Sequence, residues 1–139
     1  MQCNSGKGWN MEHAMNDQMI AIVRSLYTDV FDTGNCPAVD SHYHDDAICH
    51  FNGKDLSIQS LKASMCDFVA AHTDIETRIE SVFASGDRTF ARLTRSVTDK
   101  ETGVRRHIQL MVEKRFVGNK VQELWFMVDD DQYRTTWDR

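Results

Sequence analysis

A chain of 139 residues with a 41% hydrophobic and 27% charged composition can bury one core without help from a metal or a disulfide. Its net charge of -5, with the Lys and Arg residues scattered among acids, excludes a phosphate-backbone binder, which needs clustered bases. No apolar run approaches the roughly 20 residues of a membrane-spanning helix, and the opening "MQCNSGKGWNMEHAMNDQ" lacks the apolar segment of a secretory leader.

Residues 1–14 read as a flexible polar lead-in and residues 15–139 as a single domain. From Met15 the apolar positions Met19, Ile22, Val23, Leu26, Tyr27, Val30 and Phe31 form the stripe of an amphipathic helix, with Gly34 as its stop. Pro37 opens a short second helix that carries Val39 and Tyr43 on one face. A short strand follows, and then a third helix with Ser57 as N-cap, Leu56 and Leu61 as hydrophobic staple, and Met65, Phe68, Val69 and His72 along its stripe. After Asp74 the period changes to two. Alternation predicts strands over Ile75–Ala84 and Thr89–Val97 around a Gly86-Asp87 turn, then over Arg105–Val117 and Lys120–Val128 around Gly118-Asn119. Segregated elements of this kind indicate an α+β fold, helices on one face of a curved antiparallel sheet.

Cys3, Cys36, Cys49 and Cys66 show no C-x-x-C spacing and read as reduced thiols of a cytoplasmic protein, with Cys49 and Cys66 as small core residues. The stretch "SHYHDDAICHF" raises a metal question, because His42, His44, Asp46 and His50 share parity and zinc accepts such ligands. In an extended strand, at about 3.3 Å per residue, His42 and His50 stand roughly 26 Å apart and cannot share an ion. No metal is expected, and the stretch reads as a helix-to-strand junction.

The last predicted hairpin has large apolar groups on both faces: Ile108, Leu110 and Val112 alternate with Met111, and Leu124, Phe126 and Val128 alternate with Trp125 and Met127. A sheet with one solvated face shows a polar side instead, so the second face is expected to pack on another subunit as a homodimer.

"AIVRSLYTDVFDTGN", "HYHDDAICHF" and "GNKVQELWFMVDD" together resemble the SnoaL-like branch of the NTF2-like superfamily, which includes polyketide cyclases and ketosteroid isomerase. The resemblance spans roughly Met15 to Asp129 and implies a conical α+β barrel, its curved sheet wrapped around N-terminal helices and an interior pocket, usually dimeric through the sheet. Ketosteroid isomerase works with an Asp base, a Tyr and a protonated Asp. By the resemblance, Tyr27 takes the tyrosine position, Phe51 with His50 beside it stands at the base position, and the protonated acid falls near Met111 or Val112. Many SnoaL-like proteins read Glu-x-Trp-Asp on the last strand, where this chain has "ELWF" and places Phe126 at the acid. The Asp-Arg-Asp set of limonene-epoxide-hydrolase-like members has no match in "ARLTRSV" or "HIQLMVEKRF".

These residues define the candidate site. Tyr27 and His50 are the catalytic candidates, and Tyr27, Phe51, Arg92, Trp125 and Phe126 the ligand-binding ones. Strand alternation sets His50 outward if Phe51 points inward. Arg92, on a face with Phe90 and Thr94, suits a ligand carboxylate or enolate, or a buried ion pair. His72 reads as a favourable charge at a helix C-terminus. With two acids replaced by phenylalanine, the expected function is binding of a small apolar molecule, without a cofactor. The alternative is a lyase or isomerase acting by proton transfer next to a carbonyl.

Overall fold

The computed structural model describes residues 4–129, with side chains from Met11 onward. The start of the expected lead-in, Cys3 included, and the chain end beyond Asp129 lie outside the described residues. The stripe carrying Met19, Val23 and Leu26 lies on α1, Asn4–Leu26, which begins well ahead of Met15, so much of the expected flexible lead-in is helical. At Tyr27–Asp32 the helix widens into a π turn, and Tyr27, Val30 and Phe31 all become buried there. Gly34, at φ 73°, closes it with its N–H donating to Phe31 O at 3.2 Å.

A 3₁₀ turn, Cys36–Ser41, takes Pro37 in its first turn. It is followed by β1 (Tyr43–Phe51) and β2 (Lys54–Ser57), a hairpin where one short strand was expected, and then by α2 (Ile58–Ala71). Ser57 caps α2 as expected, its Oγ accepting from Ser60 N at 3.1 Å. The expectation of reduced thiols fails for Cys36 and Cys66, which are joined by a disulfide, while Cys49 stays free and buried. The reason is tertiary: the 3₁₀ turn lands on α2 and brings the two Cα atoms to 5.4 Å, within bridging range, across a sequence separation of 30.

Four long strands complete the chain: β3 (His72–Ser85), β4 (Arg88–Asp99), β5 (Arg105–Val117) and β6 (Lys120–Asp129). The sheet order is β2-β1-β6-β5-β4-β3. Every neighbouring pair is antiparallel except β1 and β6, which are parallel, so the expected antiparallel sheet is a mixed one. Hairpins force antiparallel pairing, but β6 reaches β1 only after the long excursion through α2 and β3 to β5, which releases that constraint. Asn52, at φ 47°, ties the β1–β2 turn to β6: its N–H donates to Phe126 O at 3.1 Å and its Oδ1 accepts from Val128 N at 3.2 Å.

Alternation then sorts the side chains. Leu93, Val97, Ile108, Leu110, Leu124 and Val128 are buried on the face covered by α1, the π turn and α2. Each such side chain, fully buried, contributes about 1.5–3 kcal/mol relative to exposure. The opposite face leaves Ile48, Phe83, Met111 and Met127 exposed, with Met111 directly across from Met127. Among the described residues no helix is long and apolar enough to cross a membrane.

Candidate functional site

Between the sheet and its helical cover lies an interior cavity of about 40 Å³. It holds a few atoms or a small ligand, well short of the 300–1,000 Å³ typical of pockets for drug-sized molecules. Leu61 and Met65 of α2 and Leu110, Val112 and Leu124 of the sheet wall it with hydrocarbon, and Tyr27, Tyr43, Arg95 and Lys114 bring polar groups to it. No carboxylate lines it among the described residues.

Tyr27 and Lys114 meet because the π turn sets the phenol over β5. Lys114 Nζ donates to Tyr27 Oη at 3.3 Å and lies 4.7 Å from the ring centroid. Both residues are buried, at 5% and 2% exposure. The Arg95 guanidinium stacks on Phe31 at 3.7 Å, lies 5.6 Å from the Tyr27 ring, and donates from Nε to Thr77 Oγ1 at 3.1 Å. Burial, helped by the positive charge of Arg95, pushes the Lys114 amine down from 10.5 to about 7. Burial also pushes the Tyr27 phenol up to about 12, with Arg95 opposing it. Burial therefore favours the neutral amine beside a phenol that keeps its proton. Because the Tyr27 oxygen accepts from Lys114, its own O–H can donate to a ligand oxygen. His42, buried just ahead of β1, is held below its ordinary value by burial and by Lys114, with Asp29 opposing.

The expected site residues divide between two faces. Tyr27 and Phe126 line the cavity, and Phe51, fully buried, packs its ring 4.9 Å from Phe126. His50 and Trp125 are on the outer face, stacked at 5.3 Å. There His50 Nδ1 meets Asp55 at 2.7 Å and Nε2 meets Glu123 at 2.8 Å, while Arg115 reaches Glu123 at 3.2 Å and Arg88 lies 5.1 Å over Trp125. The hydrogen bond to Glu123, with Asp55 adding to it against some desolvation, holds the His50 imidazolium above the ordinary value. Arg92 is exposed on the same outer face, opposite Met111 and Ser81. The arginine that faces the cavity is Arg95, three positions on and of opposite parity.

Sequence reasoning missed Arg95 and Lys114, although a signal was present. Ala91-x-Leu93-x-Arg95-x-Val97 and Leu110-x-Val112-x-Lys114-x-Phe116 each place one cation in a run of buried apolar positions. The histidines of β1 diverge: His42 is buried, His44 Nε2 bonds Val117 O at 2.7 Å, and His50 faces out. Among the described residues no three His, Cys, Asp or Glu side chains are placed to hold an ion. His72 is tied down at the end of α2, Nδ1 to Phe68 O at 2.7 Å and Nε2 to Arg106 at 3.1 Å.

Solved structures share this architecture. The chain aligns with AclR of Streptomyces galilaeus, a candidate hydroxylase, at a TM-score of 0.76 and 22% identity, over 81% of this chain and 76% of that one. It aligns with a candidate polyketide cyclase from Acidithiobacillus ferrooxidans at a TM-score of 0.70 and 21% identity, over 86% and 93% of the two chains. An LEH-like epoxide hydrolase from M. tuberculosis gives a TM-score of 0.69 at 12% identity, over 83% and 85%. At these identities the likeness establishes the fold alone. None of the curated proteins matches the chain in sequence. The SnoaL-like domain model matches residues 23–124, from the last turns of α1 to the middle of β6, and the chain therefore belongs to the SnoaL-like domain family of the NTF2-like superfamily.

Proposed function

We propose that this chain binds a small, largely apolar molecule bearing one carbonyl or hydroxyl oxygen, with the oxygen at Tyr27 and Lys114 and the hydrocarbon against Leu61, Met65 and Phe126. The observation that carries this reading is a largely apolar cavity in which two of the hydrogen-bonding groups stand 3.3 Å apart, with no carboxylate in its wall among the described residues. Its size of about 40 Å³ favours ligands of a few carbon atoms over a steroid or a folded polyketide. Saturation-transfer NMR with 2-butanone and with phenol tests it. Binding by the wild type that weakens about tenfold in Tyr27→Phe, the worth of one hydrogen bond, supports the reading. Absence of binding for both compounds refutes it.

One observation favours a second reading, a lyase or isomerase acting by proton transfer next to a carbonyl. The buried Lys114 amine, which desolvation drives towards its neutral form, lines a pocket with Phe126 at one of the expected acid positions, and Tyr27 lies 3.3 Å from it, where it could stabilise an enolate. Turnover of a β,γ-unsaturated ketone that is lost in Lys114→Met would select it.

We further propose that the chain forms a homodimer through the outer sheet face, supported by the exposed Met111 and Met127 pair and by Ile48 and Phe83. A cytoplasmic location remains part of this reading only if Cys36 and Cys66 are reduced there. Non-reducing peptide mapping of protein taken from cytoplasm under thiol-blocking conditions decides that point.

A further inference from the structure

We propose that Lys114 forms an imine with a small aliphatic ketone or aldehyde bound in the cavity. This deepens the ligand-binding reading and rests on it. The first support is position. Lys114 lies mid-strand on β5, on the inward parity, 2% exposed, with its amine at the cavity wall rather than reaching solvent as lysines ordinarily do. The second is the set of groups facing it. The π turn presents Tyr27, β4 presents Arg95, β1 brings Tyr43 to the same wall, and the segment before β1 presents His42, whereas α2 contributes Leu61 and Met65, and β6 contributes Leu124 and Phe126. No described wall residue carries a negative charge that would hold the amine as ammonium, and Arg95 opposes that form. Desolvation next to a second cation is a recognised way of making a lysine nucleophilic near neutral pH. The depressed value of about 7 agrees with it.

The third support is Tyr27. Its hydroxyl, 3.3 Å from Nζ, is close enough to donate a hydrogen bond to the oxygen of a carbonyl under attack at that amine. The nitrogen lone pair adds to the carbonyl carbon and the C=O π pair moves to oxygen. One proton passes from nitrogen to that oxygen, with Tyr27 donating a hydrogen bond to it, and a carbinolamine results. The nitrogen pair then forms C=N as the hydroxyl leaves with the second amine proton as water. Nothing is oxidised or reduced, and the products are one imine and one water. A cavity of about 40 Å³ confines the partner to short-chain carbonyl compounds.

Reductive trapping tests the proposal on the wild-type chain. The protein is incubated with 2-butanone and cyanoborohydride from pH 6 to 9, and adducts are located by peptide mass spectrometry. The expected result is one adduct per chain on Lys114 at neutral pH, forming ahead of any on the exposed Lys54 and Lys120. Lys114→Met, checked for folding by circular dichroism, should abolish it. Saturation-transfer NMR with the same ketone, without reductant, separates the two readings. Ketone that binds while adducts appear only on exposed lysines overturns the imine and leaves the binding reading standing. Neither binding nor a Lys114 adduct overturns both.

Discussion

Replacing Lys114 by methionine removes a buried amine but keeps nearly its volume, and its effect on stability should depend on pH in a way that only a depressed lysine produces. Lowering the amine from 10.5 to about 7 means that charging it in place costs roughly 5 kcal/mol, at about 1.4 kcal/mol for each tenfold change in proton affinity. The unfolded chain protonates this amine at 10.5 and the folded chain only at about 7, so between those values unfolding takes up a proton. Stability must then fall as pH is lowered from 10.5 towards about 7, at up to about 1.4 kcal/mol per pH unit, and level off below. Tyr27 at about 12 and Cys49 at about 11 act the other way above pH 9, where the unfolded chain loses those protons first, but both are present in either protein. The difference between wild type and Lys114→Met isolates the lysine. Methionine also costs the hydrogen bond to Tyr27, about 1 kcal/mol at every pH, which shifts the difference without changing its slope. Urea unfolding at pH 7, 8 and 9 should show the variant gaining on the wild type as pH falls, by about 2 kcal/mol or more across the range. A difference that stays constant from pH 7 to 9 would refute the neutral buried amine, and with it the chemistry assigned to Lys114.

Opening the Cys36–Cys66 bridge with a double serine substitution should cost about 3–4 kcal/mol in the same urea assay, from the loop entropy of a separation of 30; no change would mean that the bridge does not form in solution. Met127→Glu should convert a dimer to a monomer by light scattering, since it places an unpaired charge in the proposed contact, and a monomeric wild type at micromolar concentration would end that idea. The His50 ring should titrate by NMR above the ordinary imidazole value and fall towards it in Glu123→Gln, because the largest cause of the elevation is that hydrogen bond. Whatever stability the His50 contact supplies is present below the unfolded value and lost as pH rises through the folded one. Isomerase turnover on a standard β,γ-unsaturated ketosteroid should be absent, given a cavity of about 40 Å³ and phenylalanine at positions 51 and 126, and His50→Ala should not change that result.

The long periodic elements were legible because their signals are local. The stripe at Met19, Val23 and Leu26, the Ser57 cap and the strict alternation of β5 are all decided by neighbours within a few residues, and so is the SnoaL-like pattern they compose. Alternation also required Phe51 and His50 to face opposite ways, and the structure turns Phe51 in and His50 out. The parallel pairing of β1 with β6, the Cys36–Cys66 bridge and the split of the β1–β2 region into a hairpin depend on where distant segments land. The candidate site was half legible. Tyr27, placed by the resemblance, and Phe126 do line the cavity, whereas Arg92 lies on the outer face and Arg95 was missed, because parity alone does not say which strand face turns inward. Lys114 shares its parity with Leu110, Val112 and Phe116, so composition marked it as out of place, but only the tertiary structure put it under Tyr27 and beside Arg95. The amino-acid sequence by itself determined the long elements, their amphipathic periodicity and the family, since each is a property of side chains close along the chain. The packing of the π turn over the sheet decided which cations were stripped of water, and desolvation, a property of the folded surroundings and not of the residue, is what makes the Lys114 amine reactive.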